Sequence, residues 1–318
     1  MPLIKSNFKP SKIFRYSFFS TVYSGLIRSF NLIQRRERIT LYDGDFLDLD
    51  WSYAVKPTKR LGIVLHGMEG NGQRPYVSGV AACLNSQNFD AICVNFRGCS
   101  GETNNKFFSF HSGQTEDLEA VIEHVISNYN YDSIFLKGVS LGGNIVLKYL
   151  GENSEIPKQI RAAMALSVPV DLAGSVKALH KLKNIFYHIY FMMGLKFKLM
   201  KKQRQFPQVM SRTELWKIWT LHKLDEVYTS RANGFKNAND YYKKSSSLQF
   251  LPKIQTPVLI LNALNDSFLP NSCYPISVAE NNPSIYLEIS RHGGHVGFVL
   301  PGKFYYNEIR ALEFFSKF

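Results

Sequence analysis

The chain of 318 residues is long enough to bury a sizeable core and too long for one small sandwich or bundle. With 45% apolar and 20% charged residues and a mean hydropathy of −0.15, it fits neither the disordered nor the multi-span membrane class. The net charge of +13 raises nucleic acid, an anionic membrane and an anionic substrate as partners, but it is local: residues 1–38 carry +7, residues 172–250 carry +11 and the remainder −5.

In chain order, a basic leader (1–37) comes first, expected to pack on the core. Its apolar run is broken by Ser17, Ser20, Thr21, Ser24 and Arg28 and fits neither a secretory signal nor a membrane-spanning helix. Residues 38–42 and 46–54 alternate around Asp43-Gly44-Asp45 and predict a hairpin. From residue 61 the pattern turns to repeated βα units. Strands are predicted at 62–67, 90–96, 132–138 and 162–168, with helices near 76–87, near 116–129 and from Leu141 to about Leu150. That alternation predicts a mostly parallel, twisted sheet covered by helices on both faces. Residues 172–250 then read as a helical insertion without a buried-strand run. The strand pattern resumes at 257–263 and 284–290, and a helix over 305–316 closes the chain. The expected organisation is one α/β core, 38–171 and 251–318, interrupted by a helical cap, 172–250. Cys83, Cys93, Cys99 and Cys273 form no CxxC pair and read as free thiols in a reducing cytosol, so a cytoplasmic location is expected.

Chemistry enters at Gly138-Val139-Ser140-Leu141-Gly142, between a β-branched strand and a helical stretch. That is the context of a GxSxG nucleophile elbow, whose small residues let a helix start almost on top of the strand. A nucleophilic serine needs an orienting carboxylate and a base, which in this architecture follow in that order at later strand ends. Asp266, three residues past strand 257–263, is the only carboxylate between Asp240 and Glu280. The loop 291–297 offers two imidazoles, His292 and His295, in a window short enough for either to reach the serine. An oxyanion hole requires two backbone donors: the amide of Leu141 is one, and that of Met68, in His66-Gly67-Met68-Glu69-Gly70, is the natural second. The same glycine-rich stretch lacks the GK[ST] ending of a phosphate-binding loop.

Together these residues resemble the YheT-like branch of the α/β-hydrolase superfamily. The similarity runs through RERITLYDGDFLDLDW (36–51), LHGMEG (65–70), NFRGCSGE (95–102), FHSGQTEDL (110–118), GVSLGGN (138–144), GFKNANDYYKKSS (234–246) and RHGGHVGFV (291–299). The resemblance implies an α/β-hydrolase fold, a Ser140, Asp266, His295 triad and an ester-hydrolysing or acyl-transferring activity without metal or other cofactor. Where the family's leader usually carries His-x-Gln-Thr, this chain has Phe18-Phe19-Ser20-Thr21.

Other residues have plainer readings. Asp171 fits an N-cap, and Thr115 an N-cap followed by dipole-favoured acids. Arg97 and Cys99 read as loop anchors. In the insertion, Phe186, Tyr187, Tyr190, Phe191, Met192, Met193 and Leu195 either line an acyl pocket or dock the cap, while its lysines form a solvated face or rest on anionic lipid headgroups. Partners are therefore a small ester or lipid substrate, with peripheral membrane contact as a further reading. The basic segments match no nucleic-acid-binding pattern, and His292 and His295 lack a metal-binding frame. Three functions remain: a serine hydrolase of carboxylic esters, an acyltransferase to an alcohol, and a non-catalytic lipid-binding module.

Overall fold

The computed structural model describes residues 3–318. Nine strands form one sheet: β1 (Leu3–Lys5), β2 (Arg35–Thr40), β3 (Phe46–Ser52), β4 (Arg60–Leu65), β5 (Asp90–Asn95), β6 (Ser133–Val139), β7 (Ile160–Leu166), β8 (Val258–Ala263) and β9 (Ile285–Ser290). Their spatial order is β1-β9-β8-β7-β6-β4-β5-β3-β2. The β2–β3 and β3–β5 pairs are antiparallel and the others parallel. Because the parallel strands are covered on both sides, they are nearly continuous apolar runs whose alternate residues serve opposite cores. Ile63 and Leu65 belong to one core, while Val64 points to the other.

Helix α1 (Ser17–Val22) lies in the leader. Helix α2 (Pro75–Asn85) and the C-terminal helix (Tyr306–Phe315) cover one face of the sheet, through Val77, Val80, Ala311 and Phe314. Helices α3 (Thr115–Asn128) and α4 (Leu141–Glu152) cover the other, through Leu118, Val121, Ile145 and Leu147. Thr115 is the first residue of α3 and not its N-cap; its hydroxyl is taken instead by Glu152, which leaves Gln114 at the cap position. Asp171 does cap α5 (Leu172–Leu179), accepting the Gly174 amide at 3.0 Å.

Between β7 and β8 the described residues contain no strand. They form α5, the long helix α6 (Ile185–Gln205) and several short helices around an apolar cluster of their own, including Met192, Leu199, Ile218 and Leu221. Asn144 on α4 ties this segment to the sheet. Its buried amide donates to Ser112 O at 2.8 Å and Ser245 O at 2.7 Å, and accepts the Ser247 amide at 2.9 Å. A buried amide so fully paired is rigid and costly to replace.

The strand order places β4 between β5 and β6, so the chain leaves β4 toward one edge and then returns to its other side. At such a switch point the loops beyond the carboxyl ends of the strands diverge and leave a crevice. The loops after β4 and β6 meet there.

Candidate active site

Ser140 occupies the turn between β6 and α4 with φ 53° and ψ −117°. This backbone is strained for a residue with a Cβ. What holds it is the close approach of α4 to the strand. A Cβ on Gly138 would sit 2.2 Å from Gly142 O, and one on Gly142 would sit 2.6 Å from His66 O. The Ser140 amide donates to Leu166 O on β7 at 2.8 Å.

Asp266 follows β8, its amide turned back onto Ala263 O at 3.0 Å. Its Oδ1 accepts the Phe268 amide at 2.9 Å and its Oδ2 lies 2.7 Å from His295 Nδ1. The other ring nitrogen, Nε2, lies 2.8 Å from Ser140 Oγ. A buried carboxylate accepts hydrogen bonds, so Nδ1 carries the proton and Nε2 presents its lone pair to the serine hydroxyl. Both Asp266 and His295 are buried, and the Phe268 ring covers the imidazole with centroids 4.3 Å apart. His292 is half-buried on the same loop, and no hydrogen bond joins it to Ser140 or Asp266. Positive φ at Gly293, Gly294, Val296 and Phe298 turns the loop sharply, which brings the second imidazole to the serine.

Met68 and Leu141 line the same cavity as Ser140. The Met68 loop approaches so closely that a Cβ on Gly67 would sit 3.2 Å from Ser140 Cβ. Two side chains hold that loop. The Phe96 amide donates to His66 Nε2 at 3.2 Å, so His66 Nδ1 donates to Gly67 O at 2.7 Å, and the Tyr76 hydroxyl accepts the Gly67 amide at 3.2 Å. Burial pushes His66 down to about 3, against the opposing pull of the Gly67 carbonyl, so the ring is neutral. His111 is likewise pushed down to about 3, by burial and then by the charges of Lys148 and Arg97. In the unfolded chain both bind a proton below the ordinary histidine pKa of 6.5, so stability is full above that value and is lost as the pH falls toward 3. Asp225, pushed up to about 6 by burial, works in the opposite sense. The two histidines outweigh Asp225, so stability is expected to fall between about pH 7 and pH 4, read as a lower urea unfolding midpoint at the lower pH.

The leader contributes to the site in a way that its sequence does not reveal. The His295 amide donates to Thr21 Oγ1 at 2.9 Å, Ser20 donates to Gly293 O at 3.0 Å and Ser24 to Gly297 O at 3.1 Å. Asn265 donates to Arg15 O at 2.9 Å while accepting the Gly294 amide at 2.9 Å. The histidine loop is thus built onto α1 and the leader residues that flank it. Thr21→Val keeps the shape but orphans the buried His295 amide, and is expected to lower kcat for ester hydrolysis about tenfold with KM nearly unchanged. Thr21→Ser should restore it, and steady-state kinetics on the two variants checks both.

A cavity of about 740 Å³ lies over Ser140, with α6 as one wall. Phe186, Tyr187, Tyr190, Phe191 and Leu195 line it; Met192 packs inside the helical segment and Met193 faces outward. The lysines of α6 do not form one solvated face. Lys202 is buried with its ammonium 2.7 Å from Asn104 O, and Lys198 bridges Glu69 at 2.9 Å and Cys99 Sγ at 3.2 Å. Burial works against the Lys198 charge, but Cys99 and Glu69 outweigh it and raise its pKa above the ordinary value. Gly194 leaves the notch that Glu69 occupies, since a Cβ there would lie 2.2 Å from Glu69 Oε2. Among the described residues no helix is long and apolar enough to cross a membrane.

A sharp strand-to-helix turn presenting a serine over a mostly parallel sheet defines a class, and the comparisons agree. A family model described as alpha/beta hydrolase fold matches residues 63–301. The chain belongs to the α/β-hydrolase fold family, in its YheT-like branch. It is 31% identical over 268 residues to the Escherichia coli K12 protein named "Putative esterase YheT", covering 83% of this chain and 78% of that one. It is 29% identical over 308 residues to "Phospholipase ABHD3" of Bos taurus, covering 94% and 74%. Against the "Monoacylglycerol lipase" of Saccharomyces cerevisiae it is 29% identical over 248 residues, covering 75% of this chain and 55% of that one. Among solved structures, the Pyrococcus furiosus esterase Pf2001 shares the fold, with a TM-score of 0.60 at 16% identity over 90% of this chain and 92% of that one.

Proposed function

We propose that the protein is a serine hydrolase that cleaves carboxylic esters, of the carboxylesterase or acylglycerol-lipase type. The observation that carries this reading is the pair of hydrogen bonds, Ser140 Oγ to His295 Nε2 at 2.8 Å and His295 Nδ1 to Asp266 Oδ2 at 2.7 Å, at the base of a cavity with aromatic and aliphatic walls. His295 Nε2 takes the hydroxyl proton as Ser140 Oγ attacks the acyl carbonyl, and Asp266 holds the tautomer and stabilises the imidazolium. The Met68 and Leu141 amides receive the oxyanion. Collapse of the tetrahedral intermediate expels the alcohol, which leaves with the proton from His295. Water activated by the same imidazole then releases the acid. The sequence similarity to proteins named esterase, phospholipase and monoacylglycerol lipase supports an ester or lipid substrate.

The test is covalent labelling by a fluorophosphonate followed by product analysis. The wild type should label and Ser140→Ala should not; an unlabelled wild type that still binds lipid would replace this reading with a non-catalytic module. Added ethanol separates the two acyl-enzyme outcomes: free acid signifies hydrolysis, and ethyl ester as the main product signifies acyl transfer.

A further inference from the structure

Besides the apolar residues it turns inward, helix α6 carries a second apolar line on the side that faces water. Phe186, Ile189, Tyr190, Met193 and Phe197 are 71%, 50%, 39%, 69% and 60% exposed. Their spacing of three and four residues puts them on one line along the helix. The outward line of a helix in a water-soluble protein is ordinarily polar. Here it carries no charge from Phe186 to Met193, and Lys196, Lys201 and Arg204 mark its far end.

The line continues onto the leader. The Phe18 ring of α1 lies 5.9 Å from Tyr187 of α6 and 5.9 Å from Phe19, and Phe18 and Phe19 are themselves half exposed. Phe18, Phe186 and Phe197 also line the cavity, so these exposed rings stand at its mouth, with Ser140 at its base. The two segments that carry these rings are basic, although Glu69 and Glu102 line the cavity as well. Between Leu172 and Thr213 the chain has nine lysines and arginines and no carboxylate, and the leader through Arg36 has seven and none. Lys12, Arg15, Lys181, Lys183, Lys201 and Arg204 of these are exposed.

We infer that this α1–α6 face docks on an anionic lipid bilayer, with the cavity mouth opening onto the bilayer surface. Exposed aromatic and aliphatic side chains flanked by cations match the interfacial zone of such a membrane, where rings enter the headgroup–acyl boundary and lysine stems let the ammonium stay with the phosphates. The charge also selects among occupants. A second copy of the chain using the same face would bring two positive rims together, and a neutral apolar protein surface would leave the cations without partners. Delivery of a bilayer-borne ester through this mouth rests on the ester-hydrolase reading, whereas docking does not.

Co-sedimentation with phosphatidylcholine vesicles, with and without about one-third phosphatidylserine, tests the inference. Phosphatidylserine is expected to increase binding about tenfold or more, and salt to reverse the gain. Ile189→Glu/Met193→Glu alters two residues of the line that do not line the cavity. It should lower binding to the anionic vesicles about tenfold or more while hydrolysis of a short water-soluble ester is retained. Lys183→Glu/Arg204→Glu should abolish the preference for phosphatidylserine. The inference is overturned if the wild type does not bind anionic vesicles, or if the Ile189/Met193 variant binds as the wild type does. It is equally overturned if that variant converts a dimer to a monomer with vesicle binding unchanged. Vesicle binding without ester hydrolysis would leave the docking face standing and remove the function proposed above; the converse would do the opposite.

Discussion

Ser140→Ala is expected to lower kcat for ester hydrolysis by about 10⁴-fold or more while leaving the fold and the cavity intact. The lost group is one oxygen at the base of the cavity, paired with His295 Nε2 at 2.8 Å, and the backbone turn around it is held by glycine contacts that alanine does not disturb. Asp266→Asn tests the same array from its far end. Asp266 Oδ1 is engaged by the Phe268 amide, and Oδ2 is the acceptor that keeps the proton on Nδ1. An amide nitrogen turned toward Nδ1 favours the opposite tautomer, in which Nε2 carries a hydrogen and cannot take the serine proton. A loss of about 10⁴-fold in kcat is expected, with little change in stability. Hydrolysis within tenfold of wild type by either variant would mean that the reaction runs elsewhere.

Arg97→Met is expected to destabilise the protein by about 3–5 kcal/mol, the cost typical of leaving a buried charge without its partner. The Arg97 guanidinium is fully buried and makes a two-pronged pair with Asp117 at 2.7 and 2.8 Å and a further bond to Asp43 at 2.7 Å. Methionine fills part of the volume and leaves three carboxylates without their cation, Asp117 and Asp45 almost wholly buried and Asp43 partly so. Adding Asp117→Leu should recover a large part of the loss, because removing both charges is far cheaper than removing one. Urea unfolding of the single and double variants measures the coupling directly. Equal stability of Arg97→Met and wild type would show the pair to be an ornament of the fold.

Arg97 also explains why separate stretches of sequence belong together. It comes from NFRGCSGE, Asp117 from FHSGQTEDL, and Asp43 from the hairpin turn. Asn144 does the same for GVSLGGN, FHSGQTEDL and GFKNANDYYKKSS, through its bonds to Ser112 and Ser245. These residues are read off the sequence as motif members or loop anchors; that they hold one another is visible only once the chain is folded.

The rhythm of strands and helices was legible because it is a local property. Buried parallel strands need short runs of β-branched and aliphatic residues, and their covering helices need a 3.6-residue period. The predicted strands from 62–67 onward fall within about two residues of β4 through β9. The nucleophile elbow was legible for a related reason, since the close approach of α4 to β6 excludes side chains at Gly138 and Gly142. Asp266 was legible because no other carboxylate stands near that strand end.

Tertiary structure decided what depends on partners far along the chain. Strand β1 is three residues long and is a strand only because Leu3, Ile4 and Lys5 find Leu287, Glu288 and Ile289. Spacing alone left His292 and His295 equivalent; the loop's left-handed residues and the leader hydroxyls at Ser20, Thr21 and Ser24 put His295, and not His292, against Ser140. Lys198 and Lys202 read as surface charges, yet a carboxylate and a thiol hold the half-buried Lys198, and carbonyl oxygens of a distant loop hold the buried Lys202. The +13 was countable from the start, as was its concentration in two segments. Composition could not bring those segments together around the mouth of one cavity, because which cations surround which aromatic rings is set by packing between α1 and α6, and sequence separation carries no record of that contact.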